Sequence, residues 1–214
     1  METIQRVLKS NMYAEDILHI IPIHHPCCRA WAVPVLSLHE KERAYFDTFA
    51  PECGTAIVLG HHVTSMAEWT WYARGEDGEG CAAADHTQAV CEELTRAFSE
   101  NEYTSRIVPY PETSGLRFRD VALAAGAGDI GINAFLLHPE WGPWIHLRVM
   151  VTDAPVRTEP ISSVRVCIDC DACISACPAG AIMRDGFDGL TCRTHREGRG
   201  EYSPVGPERV LQYC

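Results

Sequence analysis

The stretch Cys167-Ile-Asp-Cys170-Asp-Ala-Cys173-Ile-Ser-Ala-Cys177-Pro178 decides how the rest of the chain is interpreted. Its spacing, C-x2-C-x2-C-x3-C-P, is typical of bacterial ferredoxins, in which such thiolates ligate four-iron four-sulfur (4Fe-4S) clusters. The alternatives are a zinc knuckle and chance. The spacing disfavours zinc, because zinc sites normally use two well-separated pairs of ligands. We therefore expect at least one 4Fe-4S cluster on these four cysteines.

The cysteine content as a whole indicates metal ligation rather than disulfides. The chain has 214 residues and 11 cysteines, and its first ten residues lack the apolar core of a secretory signal. In a reducing compartment, thiols serve as metal ligands or catalytic groups. No stretch approaches the ~20 apolar residues that cross a bilayer. We predict a soluble, cytoplasmic protein with no membrane partner.

Hydrophobic periodicity predicts an α+β fold. Apolar residues recur at helical spacing in 38–49, 85–98 and 116–125. Short apolar runs bounded by Pro or Gly predict that strands 55–63, 106–110 and 144–152 share a sheet. The composition changes near residue 155, beyond which six cysteines lie. We expect a cofactor-binding α+β domain over 1–155 and a cysteine-rich domain over 156–214, with 193–207 mostly loop because it is rich in Gly, Arg and Pro.

A second motif, Gly126-Ala-Gly128-Asp-Ile-Gly131, matches G-x-G-x-x-G as a string. A dinucleotide-binding loop would follow a strand and precede a helix. Here the preceding residues are predicted to be helical, and 132–137 is predicted to be a strand. Because glycine permits positive φ and close backbone approach, we instead predict a tight loop over 126–133 that borders the main pocket, with at least one glycine at positive φ.

Histidines, aromatic residues and the other cysteines favour structural roles. Neighbouring side chains on a strand point to opposite faces, which disfavours a shared metal ion. This applies to the adjacent residues His24, His25, Cys27, Cys28, His61 and His62. Isolated cysteines and buried tryptophans usually pack in the core. These residues are Cys53, Cys81, Cys91, Trp69, Trp71, Trp141 and Trp144.

Four segments together resemble epoxyqueuosine reductase and the reductive-dehalogenase-like iron–sulfur proteins around it. They are Ala56-Ile-Val-Leu-Gly60, Trp71-Tyr-Ala-Arg-Gly75, Ala125-Gly-Ala-Gly128-Asp-Ile-Gly131-Ile-Asn133 and Cys177-Pro-Ala-Gly-Ala-Ile182. The third segment is similar to the family's A-G-L-G-W-I-G-K-N loop. The resemblance runs from about residue 50 to the end of the sequence.

The resemblance implies a nitroreductase-like (cobalamin-reductase-like) α+β domain that holds cobalamin, followed by a ferredoxin-like domain that supplies its electrons. An external donor of ferredoxin or flavodoxin type would reduce the cluster. The cofactor contacts would come from the loop residues Gly126, Gly128, Gly131 and Asn133. Counting back from this loop, Glu112 falls where the family has its proton-donating aspartate, so it is the catalytic candidate.

The sequence departs from the family pattern at the loop and in overall charge. Asp129 replaces the loop's tryptophan and Ile132 its lysine. The helical-repeat extension that would help to hold tRNA has no counterpart. With a formal net charge of −11, the chain would repel phosphate backbones. These features predict a small-molecule substrate and disfavour tRNA.

The resemblance also places Cys192 and Cys214 with Cys177 on a second cluster. The first three cysteines of the run then need a fourth thiolate from a second motif. Each of two clusters would therefore lack one ligand. We expect one or two 4Fe-4S clusters in a truncated or diverged domain, in which either a single cluster recruits Cys177, Cys192 or Cys214, or the incomplete clusters are lost.

Three functions are compatible with these features. The first is a corrinoid-dependent iron–sulfur reductase acting on a small or unidentified substrate, which requires a corrin-sized cavity beside the glycine loop. The second is a non-catalytic iron–sulfur electron-transfer protein with an exposed cluster edge. The third is a flavin-dependent reductase, because nitroreductase-like folds commonly hold flavin and a fold alone does not decide function.

Overall fold

The computed structural model describes residues 12–73, 79–157, 165–198 and 209–210. The chain divides into two compact units. Unit 1 comprises Met1–His61, Thr87–Ala127 and Leu147–Ser162, and unit 2 comprises His62–His86, Gly128–His146 and Ser163–Cys214. Each unit is thus assembled from three separate segments. The predicted domain boundary near residue 155 stays a prediction.

Helices and strands are interspersed along the chain, so the predicted mixture of helix and sheet is confirmed. The described helices are α1 (Ala14–Leu18), α2 (Ile21–His24), α3 (Glu40–Phe49), α4 (Ala82–Glu100), α5 (Pro111–Ser114), α6 (Phe118–Ala124), α7 (Ala172–Ala176) and α8 (Gly189–Gly198). Single 3-10 turns occur at Val35–Ser37 and Met66–Trp69. Among the described residues, no helix combines the length and apolar character that spanning a bilayer requires.

The strands are short outside the main sheet. They are β1 (Cys28–Pro34), β2 (Thr55–His62), β3 (Thr70–Ala73), β4 (Glu79–Cys81), β5 (Ser105–Ile107), β6 (Asp129–Ile130), β7 (Leu136–Leu137), β8 (Ile145–Thr152), β9 (Ile182–Met183), β10 (Gly186–Phe187) and β11 (Arg209–Val210).

The main sheet has the strand order β1-β2-β8-β5 and lies almost entirely in unit 1. β1 runs antiparallel to β2, from the pair Cys28 and His61 to the pair Pro34 and Thr55. β5 runs antiparallel to β8. β2 and β8 are mostly buried, which suits their continuous apolar sequences. All three predicted strands therefore share this sheet, as expected.

The core of unit 1 forms where α4 packs on the sheet. Its inward face presents Val90, Leu94 and Phe98, which are fully buried with Ile57 and Met150. Residues spaced by three or four lie on one face of a helix, so this face was visible as periodicity in the sequence. Each such side chain stabilises the fold by roughly 1.5–3 kcal/mol.

Several element boundaries differ from the predicted ones. β5 ends at Ile107 rather than at residue 110, because Pro109 has no N–H to donate to a neighbouring strand. The strand predicted over 132–137 is wrong except for Leu136–Leu137, since Ala134 turns the chain with a φ of 62°. β1 was not predicted, because its sequence, Cys-Arg-Ala-Trp-Ala-Val-Pro, shows no clear alternation of apolar and polar residues. Most of its residues are partly buried.

Unit 2 is built from small ribbons and helices rather than from one large sheet. Its ribbons are β6-β7, β9-β10 and β11-β3-β4. α8 extends to Gly198, so residues 193–198, which were predicted to be loop, are helical, whereas 199–207 lie outside the described residues. Asp188 explains the difference, because its carboxylate accepts hydrogen bonds from the N–H groups of Leu190 and Thr191 and caps the helix.

Candidate iron–sulfur site

The cysteine run occupies an irregular segment of unit 2 that leads into α7. Cys167 and Cys170 precede the helix, Cys173 lies in its first turn and Cys177 follows its last residue. Asp169 and Asp171 both have positive φ, 53° and 58°. Aspartate tolerates this left-handed conformation better than most residues do, although it still costs roughly 1–2 kcal/mol. These two residues curl the backbone between Cys167 and Cys173. A segment whose thiols bind one cluster would need such a curl.

The thiols of this run are open to solvent. Cys170 is exposed, and Cys167, Cys173 and Cys177 are partly exposed. In contrast, the cysteines expected to pack in the core are buried, and they are Cys53, Cys81 and Cys91. The structure therefore separates candidate ligands from packing cysteines by exposure.

The sulfur of Cys177 lies in a loop of backbone donors. The Ala181 N–H donates a hydrogen bond to Sγ at 3.3 Å. Burial raises the pKa of Cys177, but several backbone N–H groups act in the opposite direction and hold the pKa below that of an ordinary thiol. These donors belong to Ala181, Ala179, Ile182 and Gly180. The thiolate is the form that binds metals, and the surrounding N–H groups favour this form at Cys177.

The two later candidate ligands are Cys192 and Cys214. Cys192 lies in the first turns of α8 and is partly exposed. Its backbone N–H donates to the Asp188 carbonyl oxygen at 3.1 Å. Cys214 lies outside the described residues. The metal role of both stays a prediction.

The glycine motif forms a tight ribbon between α6 and β7. Gly126 has a φ of 75°, which confirms the predicted positive φ. A Cβ on Gly128 would overlap the Leu137 carbonyl oxygen, and a Cβ on Gly131 would lie 2.5 Å from Asn133 Oδ1. The ribbon therefore requires Gly128, because the obstacle there is backbone, whereas at Gly131 the obstacles are side-chain atoms of Asn133 and Leu137. The presence of Gly128 no longer argues by itself for a flat ligand.

Asp129, on the ribbon, brings the glycine motif and the cysteine run together. Its Oδ2 accepts hydrogen bonds from the N–H groups of Val166 at 3.2 Å and Cys167 at 3.3 Å. All three residues belong to unit 2. The contact of Asp129 with Val166 and Cys167 was not predicted from the sequence. The available signal was that Asp129 departs from the tryptophan of the family loop.

The catalytic candidate Glu112 lies in α5 of unit 1. Its side chain is outside what the structure describes, so the proton-donor role stays a prediction. A cavity of about 320 Å³ in unit 1 is lined by Ala125 and by residues from α1, α2 and β1. Gly126, Gly128, Gly131 and Asn133 are not among its lining residues. The predicted position of the glycine loop beside the main pocket stays a prediction.

The histidine and cysteine pairs make contacts with other elements of unit 1. His24 Nδ1 and His25 Nε2 lie 3.3 and 2.9 Å from the two oxygens of Glu93. Hydrogen bonds from His25 and His24 lower the pKa of Glu93. Cys28 Sγ lies 3.6 Å from His61 Nδ1, and burial raises the pKa of Cys28 to about 12. Burial thus favours the protonated, less reactive form of the Cys28 thiol.

The tryptophans of unit 2 form stacked pairs. Trp141 is buried and stacks on His138, with ring centroids 4.1 Å apart. Trp69 stacks on Trp144, although Trp144 is 40% exposed. The core role predicted for these residues holds for Trp141 but not for Trp144. The Trp71 side chain lies outside what the structure describes.

Comparison with curated proteins finds epoxyqueuosine reductases. That of Listeria monocytogenes is 39% identical over 69 residues, which are 31% of this chain and 18% of the relative. That of Gloeobacter violaceus is 33% identical over 122 residues, 56% of this chain and 38% of the relative. No family model matches the chain. The matches thus span less than two fifths of these relatives.

Solved structures share the fold. An epoxyqueuosine reductase from Streptococcus thermophilus has a TM-score of 0.60 and 16% identity, with 84% of this chain and 55% of that chain covered. A catabolic reductive dehalogenase has a TM-score of 0.53 and 20% identity, with 76% and 25% covered. The resemblance predicted from the four sequence segments is confirmed by the sequence and structure matches together.

The prediction that disfavoured tRNA is overturned. An epoxyqueuosine reductase with this fold was solved with an epoxyqueuosine-modified tRNA-Tyr stem loop, at a TM-score of 0.57, 17% identity, and coverage of 78% of this chain and 52% of that chain. The prediction relied on net charge, which describes the average surface. Binding to a phosphate backbone depends instead on the local charge where the ligand docks.

Proposed function

We propose that this chain, which belongs among the epoxyqueuosine-reductase-like proteins, is an iron–sulfur reductase whose cluster is ligated by Cys167, Cys170, Cys173 and Cys177. The observation that carries the proposal is the Cys177 sulfur set among backbone N–H groups, at the end of a run of open thiols. A segment that presents four thiols at this spacing suits the iron ions of a cluster, because thiolates are soft ligands.

The cluster, when bound, supplies one-electron transfer at low potential. The chain supplies the thiolates and the local electrostatics. The N–H groups that surround Cys177 point partial positive charge at its sulfur. They favour the thiolate over the thiol, and they stabilise the extra negative charge of a reduced cluster. Cys192 is the nearest further candidate ligand in the sequence.

A corrinoid as second cofactor belongs to the same proposal. One structural neighbour, at a TM-score of 0.53 and 20% identity, is a reductive dehalogenase described as acting by a B12-dependent mechanism. Here Gly126, Asn133 and the intervening ribbon are the proposed contacts, and Glu112 is the proposed proton donor. The finer fold assignment, a nitroreductase-like domain over 1–155 and a ferredoxin-like domain over 156–214, is proposed on the same basis.

Epoxyqueuosine-modified tRNA is the first substrate to test. The fold is shared with a reductase solved with that stem loop, and the sequence matches are to epoxyqueuosine reductases. The chain spans about half the length of the solved reductases, so the substrate is part of the proposal. Turnover of the modified stem loop to the queuosine form would support it.

The cluster is tested by anaerobic reconstitution with iron and sulfide. We expect about four iron atoms for each bound cluster, with the absorption and electron paramagnetic resonance spectra of 4Fe-4S centres. Cys173→Ser should lower the iron content, whereas Cys27→Ser, at an exposed cysteine of unit 1, should not. Zinc bound in place of iron, or an iron content unaffected by Cys173→Ser, would refute the proposal.

A non-catalytic electron-transfer protein is the second candidate function. Ile168 is 81% exposed and Cys170 is exposed beside it, so a cluster at this position would have an open edge to exchange electrons. A reconstituted chain that reduces an added redox protein but converts no modified stem loop, with or without cobalamin, would favour this function.

A further inference from the structure

Asp129 connects two segments that are far apart in sequence. Its Oδ2 accepts hydrogen bonds from two consecutive N–H groups, Val166 at 3.2 Å and Cys167 at 3.3 Å. Its Oδ1 accepts a third from Ile130 N–H at 2.8 Å. Hydrogen bonds to an ionised acceptor are stronger than those between neutral groups. One carboxylate thus holds the backbone of the first cysteine of the run.

The ribbon that carries Asp129 is rigidly defined. Asp129 pairs with Leu137 across β6 and β7, and Gly128 has no room for a Cβ against the Leu137 carbonyl oxygen. The Gly131 N–H donates to the Phe135 carbonyl oxygen at 3.0 Å and closes the turn. Because the ribbon fixes the backbone on both sides of Asp129, it restricts where the Asp129 carboxylate can lie.

The residue type at position 129 matters for this contact. In the family loop that this segment resembles, the corresponding residue is tryptophan, whose indole can donate a hydrogen bond but cannot accept one. Only an acceptor can engage the Val166 and Cys167 N–H groups. Aspartate at position 129 therefore makes a contact with Val166 and Cys167 that tryptophan at this position could not make.

We propose that Asp129 is a positioning residue for the iron–sulfur centre, which holds Cys167 in place and lowers the reduction potential of the cluster. The inference rests on the proposed function. Two effects lower the potential. The carboxylate places negative charge beside the centre, which disfavours an added electron. It also occupies two N–H groups that could otherwise donate to cluster sulfurs, and such donation favours the reduced state.

Two substitutions separate the charge from the hydrogen bonds. Asp129→Asn keeps an oxygen acceptor and removes the charge, whereas Asp129→Ala removes both. Asp185→Asn is the matched control, because Asp185 is an exposed residue of the same unit between β9 and β10. It makes the same change of net charge on a different turn of the unit.

Hydrogen–deuterium exchange on the 214-residue chain without a cluster tests the contact. The amides of Val166 and Cys167 should exchange about tenfold faster in Asp129→Ala than in the wild type, with a smaller increase in Asp129→Asn and none in Asp185→Asn. Unchanged exchange in Asp129→Ala would overturn the inference, whatever the cluster content.

Redox titration of the reconstituted chain, followed by electron paramagnetic resonance, tests the potential. Asp129→Asn should favour the reduced cluster by about tenfold, a shift of about +59 mV for one electron, and Asp185→Asn should not. A wild-type potential in Asp129→Asn would overturn the inference and leave the proposed function intact. A wild-type chain that binds no cluster would instead overturn the proposed function, and the inference with it.

Discussion

Individual cysteines in this chain lie in two electrostatic environments. Burial raises the pKa of Cys91 to about 12, whereas backbone N–H groups outweigh the effect of burial at Cys177 and lower its pKa. At Cys91 burial outweighs the opposing effect of the Arg148 guanidinium, so this thiol favours its protonated, unreactive form. A thiol among N–H groups ionises readily. The same residue type thus packs the core at one position and offers a reactive thiolate at another.

This difference predicts the order of alkylation in the reduced, metal-free chain. At pH 7.5, iodoacetamide should modify Cys177 about 100-fold or more faster than Cys91, because only the thiolate reacts and Cys91 is scarcely ionised. As pH rises, the alkylation rate at Cys177 should reach its plateau at a lower pH than that of a model peptide thiol, because its pKa is lower. Peptide mass spectrometry over time measures both rates. Equal rates in the folded chain would contradict the assignment.

At the scale of elements, long periodic segments were predictable and short ones were not. The periodicity that predicted α4 reflects a face packed on the sheet over 19 residues. The ribbon β6-β7 has strands of two residues each, too few for alternation to appear. Ile132 is typical of a strand, but the turn at Ala134 prevents a strand there. Composition also failed to predict the end of α8. Glycines and arginines suggested a loop from residue 193, but a helix capped by Asp188 extends to Gly198.

The ribbon predicts a strong effect of a small substitution. Gly128→Ala should lower the free energy of unfolding by about 2 kcal/mol or more, because the added Cβ overlaps a backbone oxygen that cannot move independently. Gly54→Ala is the control, since no atom lies within 4 Å of its added Cβ, and it should change stability by less than about 1 kcal/mol. Urea unfolding measures both. Similar costs for the two substitutions would contradict the described packing.

The start of α8 predicts a pH-dependent cap beneath Cys192. Hydrogen bonds from the Thr191 side chain and backbone lower the pKa of Asp188. Because its folded pKa lies below its unfolded value, the stabilisation is present above the ordinary aspartate pKa and is lost as pH falls through the folded pKa. Asp188→Ala should therefore speed amide exchange over 190–195 at neutral pH, while Asp185→Ala should not. Equal exchange in the two variants would show that Asp188 does not cap the helix.

At the scale of the whole molecule, local motifs predicted the family resemblance but not how the motifs meet, and the cluster ligands stay a prediction. The cysteine spacing and the glycine loop are each contained in a dozen residues. The hydrogen bond between Asp129 and Val166 joins residues 37 positions apart, and no local pattern encodes such a contact. Net charge failed as a guide to tRNA for a related reason, since an average over the chain hides the local surface.

The charge of the whole chain still shapes how a tRNA stem loop would bind. A formal net charge of −11 repels phosphates over long distances, and added salt screens this repulsion while it also weakens local contacts with phosphates. The two effects oppose each other, so we expect the affinity for an epoxyqueuosine-modified stem loop to depend only weakly on salt between 50 and 200 mM. A nucleic-acid-binding protein with 6–10 phosphate contacts would lose about 10³–10⁵ in affinity over this range. Fluorescence anisotropy, with the unmodified stem loop as control, measures the slope. A loss of that size would show that a concentrated basic surface dominates binding, against the expectation from the acidic chain.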